Sequence, residues 1–155
     1  MSKEFKSLRA FTTHLKHVLE NYPKREKALL DITGRFVTKI AKSYIGHLQD
    51  TWPELAEATK EEKERLGYGN ASNDWQPLLR EGDLRDSIGY FVSPHKVHVG
   101  SVSEIMIYQE LGTNRIPPRP VLGLAMYKEK IKIQKALGNF LISWICDTRA
   151  QGKIE

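Results

Sequence analysis

A proline-rich segment places the strongest constraint on how this chain can fold. Residues Tyr108 to Pro120 read Tyr-Gln-Glu-Leu-Gly-Thr-Asn-Arg-Ile-Pro-Pro-Arg-Pro. Each proline fixes its own φ, lacks a backbone donor and disfavours helix at the residue before it, so residues 116–120 must run extended. A guanidinium on a stiff, exposed backbone suits a contact surface, because it is always charged and carries five donors in a fixed geometry. We therefore expect Arg119 to make an external contact; the alternative is an ordinary loop before a helix that begins at Pro120.

Length and composition indicate one soluble globular domain, since the chain has 155 residues of which 40% are hydrophobic and 28% charged. The formal net charge of +5 permits contact with nucleic acid. However, basic and acidic residues are interleaved, with no long run of like charge that could follow a phosphate backbone. The single cysteine, Cys146, excludes an internal disulfide and predicts a reducing compartment. The sequence has no apolar leader and no long apolar run, so neither export nor membrane spanning is predicted.

Apolar residues spaced three and four apart predict long helices at both ends of the chain. The first helix is expected from Glu4 to Tyr22, stopped by Pro23, and the second from Arg25 to Gln49. Residues Val121–Thr148 predict a C-terminal helix with Ile133, Leu137, Phe140 and Trp144 on one side.

Local signals predict short elements in the middle of the chain. Capping-box patterns at 51–54 and 59–62 predict two helix starts, and the second helix should end at Gly67. Residues 68–76 are rich in Gly, Asn, Ser and Asp, which is typical of a surface loop.

A helical turn at 83–88 is predicted to lead into a β-hairpin. Its strands are expected at Ser87–Ser93 and Lys96–Val102, joined by a turn at 93–96. Ser103 can cap a helix that runs through Leu111 and ends at Gly112. A hairpin alone is only marginally stable, so it needs a helix or a third strand across its apolar face.

These elements predict an α+β fold in which long N-terminal and C-terminal helices pack on a small antiparallel sheet built around the hairpin. We expect one domain, 1–155. Its parts are a helical N-terminal arm (1–50), a motif-bearing α+β core (51–125), the C-terminal helix (126–148) and a polar tail (149–155).

No catalytic or metal-binding pattern is found in the sequence. His14 and His17 share a helical face, but no third ligand follows at a recognisable spacing. Glu104 and Glu110 would point to different faces of one helix. The sequence has no phosphate loop, nucleophile elbow or dinucleotide fingerprint. We therefore predict a protein that is not an enzyme and needs no cofactor or metal.

Several short motifs occur in a fixed order between Trp52 and Ala125. They are Trp52-Pro53 with Leu55, Thr59 and Lys63; Pro77-Leu78-Leu79; Gly82, Leu84, Arg85, Ser87 and Ile88; Val99-Gly100-Ser101; Glu110, Gly112 and Thr113; and Pro117-Pro118-Arg119-Pro120 with Leu122 and Gly123. Taken together, this series resembles a family of tailed bacteriophages, the virion morphogenesis or tail-completion proteins, and the similar tail-component and neck family.

The resemblance implies a structural protein of the virion, from a phage or a prophage, that is made in the bacterial host cytoplasm and located at the head–tail junction. It implies a homo-oligomeric ring, expected to be a hexamer, that joins tail to head and contacts other neck, tail-tube or tail-terminator proteins. DNA contact is compatible with this role but not required. Our interface candidates are Leu84, Arg85, Glu110, Gly112, Thr113, Arg115, Pro117, Pro118, Arg119 and Pro120.

Two alternatives stay open from the sequence. Glu110 and Arg119 could pair within one subunit and hold the proline-rich loop to its own domain. The chain could instead be a basic nucleic-acid-binding module, whose binding would weaken steeply with salt.

Overall fold

A computed structural model describes residues 4–68 and 75–146 of the chain. It contains five helices and two strands within those residues. In chain order they are α1 (Leu8–Tyr44), α2 (Glu57–Arg65), α3 (Asp83–Asp86), β1 (Ile88–Ser93), β2 (Lys96–Ser101), α4 (Glu104–Leu111) and α5 (Leu122–Ile145). The two strands form one antiparallel sheet, so the predicted α+β class with long terminal helices is confirmed. The predicted helix end at Thr148, the tail at 149–155 and most of the loop at 68–76 lie outside the described residues.

The prediction of two N-terminal helices separated at Pro23 is wrong, because α1 is continuous and contains Pro23. A proline inside a helix removes one hydrogen bond and costs about 3 kcal/mol. Here Pro23 is exposed. Leu19, whose carbonyl would otherwise accept a hydrogen bond from residue 23, is exposed as well, so water can reach that carbonyl. Buried positions such as Val18 and Thr33 continue in phase on either side of it. The packed face therefore outweighs the local defect.

The expected end of this helical region at Gln49 is also too late. Helix α1 stops at Tyr44, and Gly46 follows with a φ of +94°. The backbone N–H of Gly46 donates to the carbonyl of Pro77 at 2.8 Å, so the chain leaves the helix to join a distant segment. This pairing depends on a contact between residues far apart in sequence, which periodicity along one helix does not reveal.

The capping boxes at 51–54 and 59–62 do not begin helices. Residues 53–56 are irregular, and α2 begins at Glu57 after Ala56, which has no side chain able to cap it. Thr59 lies inside α2 rather than at its start. The predicted end of this helix is confirmed, since Gly67 follows it with a φ of +78°.

The elements predicted from Asp83 to Leu111 are confirmed to within about two residues, as expected for helix and strand ends. The turn between the strands contains His95 in a left-handed conformation, with a φ of +62°. Ser103 precedes α4 as predicted, but its hydroxyl makes no capping hydrogen bond to the helix.

The described residues fall into two compact units. The first comprises residues 4–36, 91–98 and 129–146, and the second comprises residues 37–68, 75–90 and 99–128. The expectation of a single domain with the boundaries given above stays a prediction.

In the first unit, the beginning of α1 packs against the end of α5. The His14 Nε2 donates to the carbonyl of Ile145 at 2.8 Å, and Trp144 Nε1 donates to the carbonyl of Val18 at 3.0 Å. The ring of Tyr22 lies 4.9 Å from that of Trp144. The side of α5 predicted to be apolar is the side that is buried or half-buried here. His14 therefore contributes to helix packing.

In the second unit, one hydrophobic core joins α1, β1, α4 and α5. Its buried members are Ala41, Ile45, Trp52, Ile88, Met106, Val121, Leu124 and Ala125. Leu84 packs against this core from α3. The start of the hairpin, at Ile88, is thus covered by helices, as its predicted marginal stability requires. Among the helices that the structure describes, none has an apolar stretch long enough to cross a bilayer.

Candidate functional site

The loop between α4 and α5, residues 112–121, is held in one conformation by its own backbone. Gly112 has a φ of +76°, and a Cβ built there would lie 3.0 Å from the Ile116 oxygen and from the Pro118 nitrogen. The N–H of Thr113 donates to the carbonyl of Ile116 at 2.8 Å, while the Thr113 hydroxyl accepts from the N–H groups of Arg115 and Ile116. Only glycine fits at the entrance to this turn.

Arg119 is buried, so the prediction that it is exposed is wrong. Its side chain is 6% accessible. Its Nε and Nη2 donate to the carbonyl of Pro53 at 3.3 and 3.1 Å, and Nη2 also donates to the carbonyl of Glu54 at 3.0 Å. Desolvation lowers the pKa of the Arg119 guanidinium. No carboxylate pairs with it within the part of the chain that the structure describes, so backbone carbonyls alone compensate its charge.

Trp52 also links the segment at 52–54 to the proline-rich loop. Its indole N–H donates to the carbonyl of Pro120 at 3.1 Å. We call Trp52, Pro53, Glu54, Arg119 and Pro120 together the Arg119 clasp. Residues 53 and 54 direct their carbonyls toward the guanidinium, which explains why no helix begins at the capping-box sequence that contains them.

Glu110 caps helix α5, and the alternative in which it pairs with Arg119 is also wrong. Its Oε2 accepts from the N–H groups of Val121 and Leu122 at 2.8 and 3.1 Å, and its Oε1 accepts from that of Gly123 at 2.6 Å. A carboxylate here satisfies N–H groups that have no partner within the helix, and it faces the positive end of the helix dipole. A Cβ at Gly123 would lie 2.9 Å from Oε1, so a larger residue there would displace the end of the Glu110 side chain.

The remaining interface candidates differ in accessibility. Arg115, Pro117 and Pro118 are exposed on the loop. Arg85 is also exposed, and its Nε lies 3.5 Å from an oxygen of Asp86. Leu84, as described above, belongs to the margin of the core. The exposed members can make an external contact, whereas Glu110, Gly112 and Arg119 maintain the loop conformation.

Lys63 is a buried cation whose role the sequence analysis missed. Its side chain is 4% accessible, and its Nζ donates to the carbonyls of Trp75, Gln76 and Leu79 at 2.7 to 2.8 Å. Gln76 is one of three non-glycine residues with positive φ in the described chain. In the sequence, Lys63 is one of several charged residues in a charged helix, and only its place in the motif series sets it apart.

A cavity of about 600 Å³ lies in the second unit and includes both buried cations in its lining. Leu66 and Ile105 are among its apolar lining residues. Because Lys63 and Arg119 bond backbone carbonyls, they hold neighbouring segments in place rather than present their charge to a ligand. Across residues 4–68 and 75–146 there is no group of three His, Cys, Asp or Glu side chains suited to hold a metal ion.

Helix α4 is apolar on two opposite faces. Met106 is buried in the core, while Ile107, Tyr108 and Leu111 are exposed, Leu111 to 76%. With 3.6 residues per turn, these three residues lie on the side of the helix opposite Met106. We call Ile107, Tyr108 and Leu111 the α4 outer face.

Comparisons with known proteins supply no relative. No family model matches the chain, and neither a curated protein nor a solved structure matches it. The resemblance to phage tail-completion proteins therefore stays a prediction that rests on the ordered motifs.

Proposed function

We propose that this chain is a structural, non-catalytic protein of the head–tail junction of a tailed bacteriophage, where it forms a ring that joins tail to head. The observation that carries the proposal is the α4 outer face, an exposed apolar surface directly before the loop that bears the most specific motifs. Its partners would be further copies of itself and other neck, tail-tube or tail-terminator proteins.

The α4 outer face supports association because a helix that is apolar on both sides is normally covered on both sides. Contiguous exposed apolar residues on a small domain often mark a protein contact. On α4, the charged residues are Glu104 and Glu110, and Glu110 is already engaged in capping α5. The outer face therefore offers a partner apolar side chains and one carboxylate, that of Glu104.

The arrangement of the motifs supports the same role. Trp52-Pro53 and Pro117–Pro120, far apart in sequence, meet in the Arg119 clasp. Gly112 fixes the beginning of the loop at 112–121, and Glu110 fixes its end by bonding the first residues of α5. A loop that is already ordered loses little conformational entropy on binding, which favours assembly. In a ring, each subunit presents two different surfaces to its two neighbours.

A second candidate, a nucleic-acid-binding module, is favoured by an aromatic pair on the hairpin. The rings of Phe91 and His98 stack with centroids 4.5 Å apart and planes 9° from parallel. Phe91 is 63% exposed, and the exposed Lys96 lies in the same hairpin. Nucleic-acid bases stack on aromatic rings of this kind, and a nearby lysine would attract the phosphates.

Deletion and complementation test the first candidate. In a phage or prophage that encodes the chain, deletion of its gene should leave filled heads and complete tails unjoined in electron micrographs, and expression in trans should restore joined particles. Joined particles at normal yield in the deletion strain would contradict the proposal.

Salt dependence tests the second candidate. If the chain is a nucleic-acid-binding module, its affinity for single-stranded DNA should fall steeply between low and physiological salt, and Phe91→Ala should weaken binding. No binding at low salt would exclude this role.

A further inference from the structure

Helix α5 has an exposed apolar line of its own. Ile131, Ile142 and Ile145 are 65%, 64% and 56% exposed. Ile142 follows Ile131 by three helical turns and precedes Ile145 by about one turn, so the three side chains lie along one line of the helix. Gly138 lies on this line too, and a Cβ added there would meet nothing within 4 Å. We call Ile131, Ile142 and Ile145 the α5 outer face; it lies opposite the packed side that contains Ile133.

Lysines lie on and beside the α5 outer face. Lys130 and Lys135 are exposed and form no ion pair among the described residues. Lys135 lies on the line between Ile131 and Ile142, and Lys130 lies to one side of it. Lys132, farther around the helix, is paired with Glu129 at 3.1 Å. The α5 outer face therefore combines three exposed isoleucines with two unpaired positive charges.

The α4 outer face carries the opposite charge. Glu104 is exposed, and within the described residues it forms no ion pair. It lies about one turn before Tyr108 and two turns before Leu111, so it is on the same side of the helix as these residues. Helix α4 contains no lysine or arginine. The α4 outer face therefore presents one unpaired carboxylate.

We propose that the α5 outer face of one copy docks on the α4 outer face of the next copy. The occupant is a second copy of this chain, because its α5 supplies exposed isoleucines together with the unpaired Lys130 and Lys135 for an apolar face that carries the unpaired Glu104. Such a contact is head to tail, so each subunit uses two different surfaces and the chain of contacts closes into a ring if the rotation allows. This inference rests on the self-association within the proposed function and specifies its contact surfaces.

Two single variants and their mixture test the contact. Leu111→Asp disables the α4 outer face, and Ile142→Asp disables the α5 outer face. Each variant alone should associate about 30-fold or more weakly than the wild type, as expected when an apolar residue central to an interface is lost. An equal mixture should give dimers and nothing larger, because one variant keeps its α5 face and the other keeps its α4 face. Aspartate in both variants ensures that the two disabled faces repel each other.

Charge exchange gives a second measurement. Glu104→Lys alone and the pair Lys130→Glu with Lys135→Glu alone should each weaken association, and a chain that carries all three changes should recover at least part of it. Phe91→Asp is the matched control, since Phe91 is as exposed as Ile142 but lies on the hairpin; this variant should assemble like the wild type. Analytical ultracentrifugation after nuclease treatment reads the assembly state, and circular dichroism checks that each variant is folded.

A dimer that forms only in the mixture of the two variants, together with recovery on charge exchange, supports the proposed contact. A wild-type chain that stays monomeric at high concentration and forms no ring in particles overturns it. The contact is also overturned if Ile142→Asp assembles normally, since the α5 outer face would then play no part. Loss of the oligomers on nuclease treatment overturns it as well, since nucleic acid would then bridge the subunits.

The head–tail role fails separately from this contact. Joined particles in the deletion strain would contradict the role while leaving the mixed dimer in place. Unjoined particles together with normal assembly of both variants would preserve the role and overturn the contact.

Discussion

Replacement of Arg119 should unfold the second unit more easily, which reverses the expectation drawn from its sequence position. Arg119→Ala removes three hydrogen bonds from a buried cation and leaves the carbonyls of Pro53 and Glu54 without these donors. A hydrogen bond to a charged group contributes about 1.5 to 3 kcal/mol. Relief of the buried charge offsets part of the loss, as does hydration of the two carbonyls, which belong to exposed residues. We expect a net loss of about 2 to 4 kcal/mol in the free energy of unfolding.

For a chain of this length, each kcal/mol lowers the melting temperature by about 2 to 4 °C, so Arg119→Ala should melt roughly 5 to 15 °C below the wild type. Arg119→Lys should fall between the two, because one ammonium cannot reproduce the guanidinium geometry that reaches both carbonyls. Thermal unfolding followed by circular dichroism measures these shifts. Arg115→Ala, exposed on the same loop, is the control and should change stability by less than about 0.5 kcal/mol. A melting temperature for Arg119→Ala within about 2 °C of the wild type would refute the clasp as a stabilising contact.

Three further predictions concern other contacts. Glu110→Ala should lower the free energy of unfolding by about 1 to 3 kcal/mol, because α5 loses its cap; urea titration measures this, and an unchanged midpoint would argue against the cap. Gly112→Ala should destabilise by at least about 1 kcal/mol through strain and close contacts, and wild-type melting would show that the loop can rearrange. Hydrogen bonds from His95 and Tyr22 lower the pKa of Glu26, so its stabilising effect should be complete above pH 4.5 and disappear as the pH falls through the lowered value. Glu26→Gln should flatten the pH dependence of stability in that acidic range, and parallel curves for the two proteins would contradict this.

The hairpin and α4 were predictable because their signals are local. Pro94 and His95 occupy the turn between alternating strands, and Gly112 ends α4 at the position where a positive φ is needed. Residues within a few positions of one another determine these features. Long-range packing changes them little.

The predictions that are wrong concern segments whose local structure depends on contacts with a distant part of the chain. The capping box at 51–54 is overridden by Trp52, which enters the core, and by Arg119, which bonds the carbonyls of the next two residues. Pro23 is a reliable helix breaker by itself, but it lies on the exposed side of a helix whose other side is buried or half-buried from Val18 to Tyr44. In this second case the sequence did contain a usable signal, since the apolar spacing continues in phase across the proline.

The sequence predicted where the candidate site lies, but not which contacts hold it together. The prolines predict a stiff segment at the loop 112–121, and close contacts and backbone hydrogen bonds are found there. The partners of Glu110 and Arg119 could not be inferred, because a carboxylate that caps the next helix and an arginine that binds backbone carbonyls leave no pattern in the intervening residues. A helix whose first residues include no Ser, Thr, Asp or Asn is the one available hint that its cap comes from elsewhere.

The ammonium group of Lys63 resembles an ion bound in a cage of three carbonyl oxygens, except that the ion is tethered to the chain. The segment around residues 75–79 is therefore ordered by a cation of its own chain, independent of ion concentration in solution. An amine that is enclosed in this way is also protected from acylating reagents. The rate at which Lys63 becomes acetylated, compared with exposed lysines such as Lys130 and Lys135, would thus report how often the second unit opens in solution.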